Sequence, residues 1–169
     1  MVLLGVGVRN GATPVDAWMQ QARGGPLGGS LSELLFLTDY RTTQVMMLAA
    51  VAVALYRRVW ALIPLIIAVP LVAVFMARGL KPLFGRFKGD ALAYPSGHTT
   101  LMVAALGMLI LAIGVRRWLI WAAVAFATLA VIGQSVTYHY FTDAVGALLL
   151  GTSLVCLAVV LLRRLRRLL

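Results

Sequence analysis

The chain is poor in cysteine, histidine, lysine and both acidic residues: it has one cysteine, two histidines, two lysines and five carboxylates among 169 residues. The lone Cys156 excludes an intrachain disulfide and a thiolate metal cluster, and within its apolar run it reads as a small packed residue. Two histidines and five scattered carboxylates offer no standard zinc or calcium spacing, so neither a metal nor another cofactor is expected. Charge is scarce as well. Charged residues make up 12% of the chain, where a soluble domain carries about 25%.

What is abundant is apolar length. The chain is 62% hydrophobic with a mean hydropathy of +0.97, and its apolar runs recur at membrane-spanning length. The expected fold class is all-α: a polytopic membrane helix bundle. Spans are predicted near 42–56, 59–77, 98–114, 118–137 and 143–162, the first extending back toward Tyr40. Pro64 and Pro70 fall inside the second, where a membrane helix tolerates a kink. Met1 to Val8 is too short to span and lacks a basic flank and a small-residue cleavage site, so no cleaved signal peptide is expected.

Residues 1–41 read as an N-terminal interfacial segment and 42–169 as the transmembrane domain. Thr13-Pro-Val-Asp-Ala-Trp18 starts a helix of mixed polarity, with Trp18 suited to the headgroup level.

The net charge of +10 does not point to nucleic acid, because the arginines come in pairs beside apolar runs. Arg57-Arg58, Arg116-Arg117 and Arg163-Arg164-Leu-Arg166-Arg167 follow spans one, three and five. The positive-inside rule places them in the cytoplasm and turns the loops 78–97 and 138–142 outward. The first of those loops nevertheless holds Arg78, Lys81, Arg86 and Lys88. Cations kept on the disfavoured side suggest an anion site.

Both lysines and both histidines lie within 81–98 and 138–143, in or at the edge of these two loops. In Pro95-Ser96-Gly97-His98 the serine suits a helix N-cap, and Gly97 lets backbone amides approach an anion at the positive helix end. His139 and Asp143, four apart, share a face if helical. The carboxylate can then hold one ring nitrogen and leave the other free for attack.

Lys81-x6-Lys88, Pro95-Ser-Gly-His98 and His139-x3-Asp143, in that order between apolar helices, resemble the type 2 phosphatidic acid phosphatase family over roughly residues 42–162. The resemblance implies a phosphohistidine mechanism without metal. His139 would attack phosphorus and His98 would protonate the leaving oxygen, with Asp143 orienting His139. Lys81, Ser96 and Gly97 would hold phosphoryl oxygens, joined by Lys88 and by Arg86 as a loop charge near the pocket.

Two departures stand out. Lys88-Gly89 stands where the family has Arg-Pro, so the charge is kept without the bidentate fork. Ile132-Gly133 stands where the family has Ser-Arg, so one phosphate-binding arginine is missing. Gln134, Arg78 or Arg86 are the candidates to replace it. If the space at Gly133 is open, it would admit a larger head group such as a phosphorylated sugar.

The resemblance thus implies a membrane phosphatase acting on a lipid phosphate or diphosphate of phosphatidate, phosphatidylglycerol-phosphate or polyprenyl type. A polyprenyl-phospho-sugar phosphate of cell-wall synthesis belongs to the last group. Its partners are that lipid and the bilayer, and a homo-oligomer is left open. Plentiful alanine, valine and arginine with little lysine suggests a GC-rich bacterium, hence an inner-membrane protein with its site facing outward. A lipid phosphotransferase using the same intermediate, or a non-catalytic membrane partner with a degenerate site, are the alternatives.

Overall fold

The computed structural model describes residues 1–168. The side chains of Arg166 and Arg167 in the C-terminal basic cluster, and Leu169 altogether, lie outside the described part. Three short helices come first: α1 (Val2–Gly7), α2 (Pro14–Arg23) and α3 (Gly28–Glu33), followed by a 3-10 turn at Leu34–Thr38. Then come α4 (Tyr40–Tyr56), α5 (Ile63–Phe84), a two-stranded hairpin of β1 (Phe87–Lys88) and β2 (Ala91–Leu92), α6 (Gly97–Ile113), α7 (Arg117–Thr137) and α8 (Phe141–Leu168). The fold is all-α apart from that hairpin, in which Phe87 pairs with Leu92 and Lys88 with Ala91.

Local chemistry marks the helix starts. Thr13 and Asp16 form a reciprocal capping box at α2, with Pro14 at the first position. Asp39 caps α4 by accepting the Arg41 N–H at 2.7 Å, and Ser96 caps α6. Helix α6 is the centre of the bundle and packs against α4, α5 and α8. Its Ala104, Met108 and Ala112 meet Ala50 and Ala54 of α4, Ile66 and Ala73 of α5, and Ala158 of α8, all buried. Small side chains at these positions let the helix backbones approach closely, which is how helices associate where lipid removes the hydrophobic drive.

Among the described residues, three segments are long and apolar enough to cross a membrane: Trp60–Phe84, Arg117–Thr137 and Phe141–Arg164. Helices α4 and α6 have 17 residues each, at the short end of the range for a span.

The bundle has two chemically different ends. At one, Arg57 donates through Nη1 to the carbonyl of Ala112 at 2.9 Å and to that of Ile113, capping the last turn of α6 from the end of α4. At the other, the Ser96 N–H donates to the Asp143 carbonyl at 3.2 Å, and Lys88 Nζ to the His139 carbonyl at 2.8 Å. The hairpin, the start of α6 and the α7–α8 corner are thereby tied together.

The predicted loop over 78–97 is largely structured. Helix α5 runs on to Phe84, so Arg78 and Lys81 are helical rather than loop residues. Packing explains the extension, because Leu80 and Phe84 join a cluster with Tyr94, Val8, Met1 and Leu4. The N-terminal segment is also more than a surface strip. Helix α2 packs on α7 and α8, and the Leu34–Thr38 turn lies on α7. Asp16 and Met19 are buried, while Trp18 is exposed.

Candidate active site

A cavity of about 810 Å³ opens between α4, α5 and α6. Arg78, Lys81, Gly97, His98 and His139 line its head, and Met47, Leu48, Leu71, Val74, Phe75 and Leu101 form apolar walls below them. Each head residue has a structural reason for its place. Lys81 is in the last turn of α5, and its Nζ donates to the Leu92 carbonyl at 2.7 Å. Gly97 and His98 occupy the first turn of α6, where unpaired amides and the helix dipole favour an anion.

His139 does not share a helix face with Asp143, as the sequence spacing suggested. It sits in the corner between α7 and α8, two residues before α8 begins. The two nevertheless meet, because Asp143 points back over the helix start. Its Oδ2 accepts the Tyr140 N–H at 3.0 Å and lies 3.7 Å from His139 Nδ1. That Nδ1 is buried and otherwise unpartnered. A shift of under 1 Å completes the hydrogen bond, as apo sites commonly require. Nε2 is then the ring nitrogen available to the cavity.

Behind this pair lies a buried charge cluster. Arg86 is fully buried, and its Nη1 donates to Asp143 Oδ1 at 2.5 Å and to Thr142 Oγ1 at 2.6 Å. Its Nη2 donates to Asp16 Oδ2 at 2.7 Å and to the Gly11 carbonyl at 2.8 Å. The guanidinium also lies over the Tyr140 ring, 4.4 Å from its centroid. Asp16 closes the circuit, since its Oδ1 accepts the Thr142 N–H at 2.9 Å. Burial works to raise the Asp16 carboxyl, but hydrogen bonds from Thr142, Thr13 and Arg86 outweigh it and hold the group below its ordinary value of 3.8.

Several residues expected to hold phosphate stand away from the head of the cavity. Arg86 gives both terminal nitrogens to protein acceptors, leaves its buried Nε without a partner, and does not line the cavity, so it stands behind Asp143 and away from the head of the pocket. Lys88 does not line the cavity. It braces the His139 carbonyl, 5.1 Å from the Tyr140 ring centroid, and burial pushes its ammonium below the ordinary value. Ser96 is fully buried, and its Oγ caps α6 by accepting the Thr99 N–H at 3.5 Å, with the Thr99 hydroxyl also donating to it at 3.1 Å. The space at Gly133 is closed: a Cβ there would lie 2.7 Å from the Leu34 carbonyl carbon and 2.8 Å from the Leu35 nitrogen. Gln134 is buried and donates to Thr38 Oγ1 at 2.5 Å. Of the candidates to replace the missing arginine, Arg78 alone reaches the cavity.

The sequence reading missed Asp16 as part of the site. Its scarcity was a usable signal, but its capping box with Thr13 gave it a sufficient local explanation. Among the described residues no three His, Cys, Asp or Glu side chains come together as a metal site would require.

A family model described as the PAP2 superfamily matches residues 78–167, more than half of the chain. The chain belongs to the PAP2 superfamily. No curated protein and no solved structure matches it significantly. Membership makes it a phosphatase or related phosphoesterase acting on phosphate-containing substrates, and its apolar helices associate it with a membrane. The matched stretch holds both histidines, both lysines and Asp143. Asp16, which completes the charge cluster around Arg86, lies outside it.

Proposed function

We propose that this PAP2 protein removes phosphate from a membrane lipid through a phosphohistidine on His139, without a metal ion. The observation that carries the reading is the cavity itself, cationic and imidazole-lined at its head and apolar along its walls. An amphiphile with a phosphate head and a hydrocarbon tail matches both parts. Lys81 and the amides at the start of α6 hold the phosphoryl oxygens, the fixed positive environment that phosphoryl transfer needs.

Nε2 of His139 attacks phosphorus in line while the bond from phosphorus to the lipid oxygen breaks. His98 gives its proton to that oxygen, and the lipid alcohol or lipid phosphate leaves. Water then attacks the phosphohistidine, with neutral His98 accepting its proton. Inorganic phosphate departs and the starting protonation states return. Asp143, held by Arg86, keeps Nδ1 protonated and Nε2 nucleophilic. In this reading all five long helices cross the bilayer, the arginine pairs lie in the cytoplasm, and the site faces outward.

The deciding experiment is phosphate release by purified protein in detergent from a panel of lipid mono- and diphosphates in excess EDTA. Release in EDTA that disappears in His139→Ala is the expected result. Absence of release, or release restored only by a divalent metal, overturns the mechanism.

A further inference from the structure

The cations around the site are not equivalent. Arg86 is spent on two carboxylates and Lys88 on the His139 carbonyl, while Lys81 is anchored by one bond to the Leu92 carbonyl and keeps donors for the reacting phosphate. Arg78 also lines the cavity, yet among the described residues it has neither a salt-bridge nor a hydrogen-bond partner. It stands three residues before Lys81 on the same face of α5, so it lies about 4.5 Å deeper toward the middle of the bundle. Below it the α5 side of the wall is apolar with Val74, Phe75 and Leu71, while α4 contributes Thr43 and Gln44 to the lining. Arg78 is itself exposed, and a charge without a protein partner on a helix of membrane-spanning length marks a ligand pathway by default.

We infer that Arg78 forms a second anion subsite, between the reacting phosphate and the apolar groove, and takes a second phosphate on the leaving-group side of the substrate. The inference rests on the phosphatase reading and adds a selectivity to it. A lipid whose chain runs down the groove and whose terminal phosphate meets His139 must place its next polar group beside Arg78. In a lipid diphosphate that group is the inner phosphate; in a lipid phosphodiester carrying a terminal phosphate it is the diester. A simple alkyl monophosphate puts only methylene groups there, and the guanidinium gains no acceptor from it. The planar fork of arginine suits two phosphate oxygens at once, which a lysine at this position would not offer.

The test compares wild type, Arg78→Ala and Arg78→Lys on three detergent-dispersed substrates of matched chain length. These are an alkyl diphosphate, an alkyl monophosphate, and an alkyl phosphodiester of glycerol bearing a terminal phosphate. Arg78→Ala should lower kcat/KM for one or both doubly phosphorylated substrates at least about tenfold, while changing the monophosphate less than about threefold. Arg78→Lys should recover part of the loss. The doubly phosphorylated substrate that loses more identifies the spacing the subsite fits. Equal losses on all three substrates would place Arg78 on the reacting phosphate instead. No loss on any would make it a surface arginine reaching for headgroups. Both outcomes overturn the inference. A binding arm stands apart from turnover: an alkyl methylenebisphosphonate should bind wild type more tightly than Arg78→Ala, with an alkyl phosphonate bound alike by both. If phosphate release fails in every protein but this difference holds, the enzymatic reading falls and the subsite stands; if the bisphosphonate binds both proteins alike, the subsite falls.

Discussion

Asp16 and Asp143, from opposite ends of the chain, share the guanidinium of Arg86 at 2.7 Å and 2.5 Å, all three side chains fully buried. The carboxylate that faces His139 is thus held in place from the N-terminal helix. Removing Arg86 leaves two buried carboxylates without a counter-charge, whereas removing either aspartate still leaves a charged pair.

Arg86→Ala should therefore be a folding mutation before it is a binding one. Breaking a buried ion pair from one side costs about 3–5 kcal/mol, and here two carboxylates lose their partner. Melting in detergent should shift down by several degrees, with activity lost alongside. An unchanged melting temperature with only a raised KM would return Arg86 to the substrate.

His139→Ala should abolish turnover while leaving the melting temperature near that of wild type, since the ring makes no hydrogen bond in the fold. Asp143→Asn should lower kcat by at least about a hundredfold, the range for losing control of a catalytic proton. It should also reduce stability, because Arg86 loses a charged acceptor. Phosphate release and thermal melting on the same samples separate the two effects.

Gly133→Arg should fail to accumulate as folded protein, and even Gly133→Ala should destabilise by about 1–3 kcal/mol through overpacking against the Leu34–Leu35 backbone. Gly79→Ala is the control, since a Cβ there meets nothing within 4 Å. A folded, active Gly133→Arg enzyme would contradict the packing of the 3-10 turn on α7.

The acid limb of stability should depend on Asp16. Its carboxyl is held below 3.8 in the folded protein, so its stabilisation is fully present above the unfolded value and is lost as pH falls through the lower folded one. Melting temperature followed from pH 6 down to about pH 3 should fall less steeply in Asp16→Asn than in wild type. Parallel curves would remove Asp16 from the acid response.

Orientation in the membrane can be read from the hairpin. Gly89 is unsuited to a cysteine because its φ is 60°, whereas Asp90 is exposed. Asp90→Cys in a Cys156→Ala background should react with an impermeant thiol reagent in intact spheroplasts. Labelling only after permeabilisation would place the site in the cytoplasm.

How much was legible without the fold follows from the range of each signal. Apolar run length and paired arginines are local, so the five long helices and the two unlike ends of the bundle could be read directly. His98, His139, Lys81 and Gly97 were identified from motif order, and they do meet in one cavity. The fates of the cations could not be read in the same way. Arg78, Arg86 and Lys88 look alike along the chain, and only folding decides that one guanidinium is buried between Asp16 and Asp143, one ammonium is bound to a backbone carbonyl, and one guanidinium faces the cavity. Gly133 shows the same limit, since a missing side chain suggests space until the Leu34–Leu35 backbone fills it. Composition and periodicity determined the long helices and α2, but not the hairpin or the short helices α1 and α3. Which charge is paired, and which cavity stays open, depend on contacts between residues far apart in the chain, and those exist only once the helices have packed.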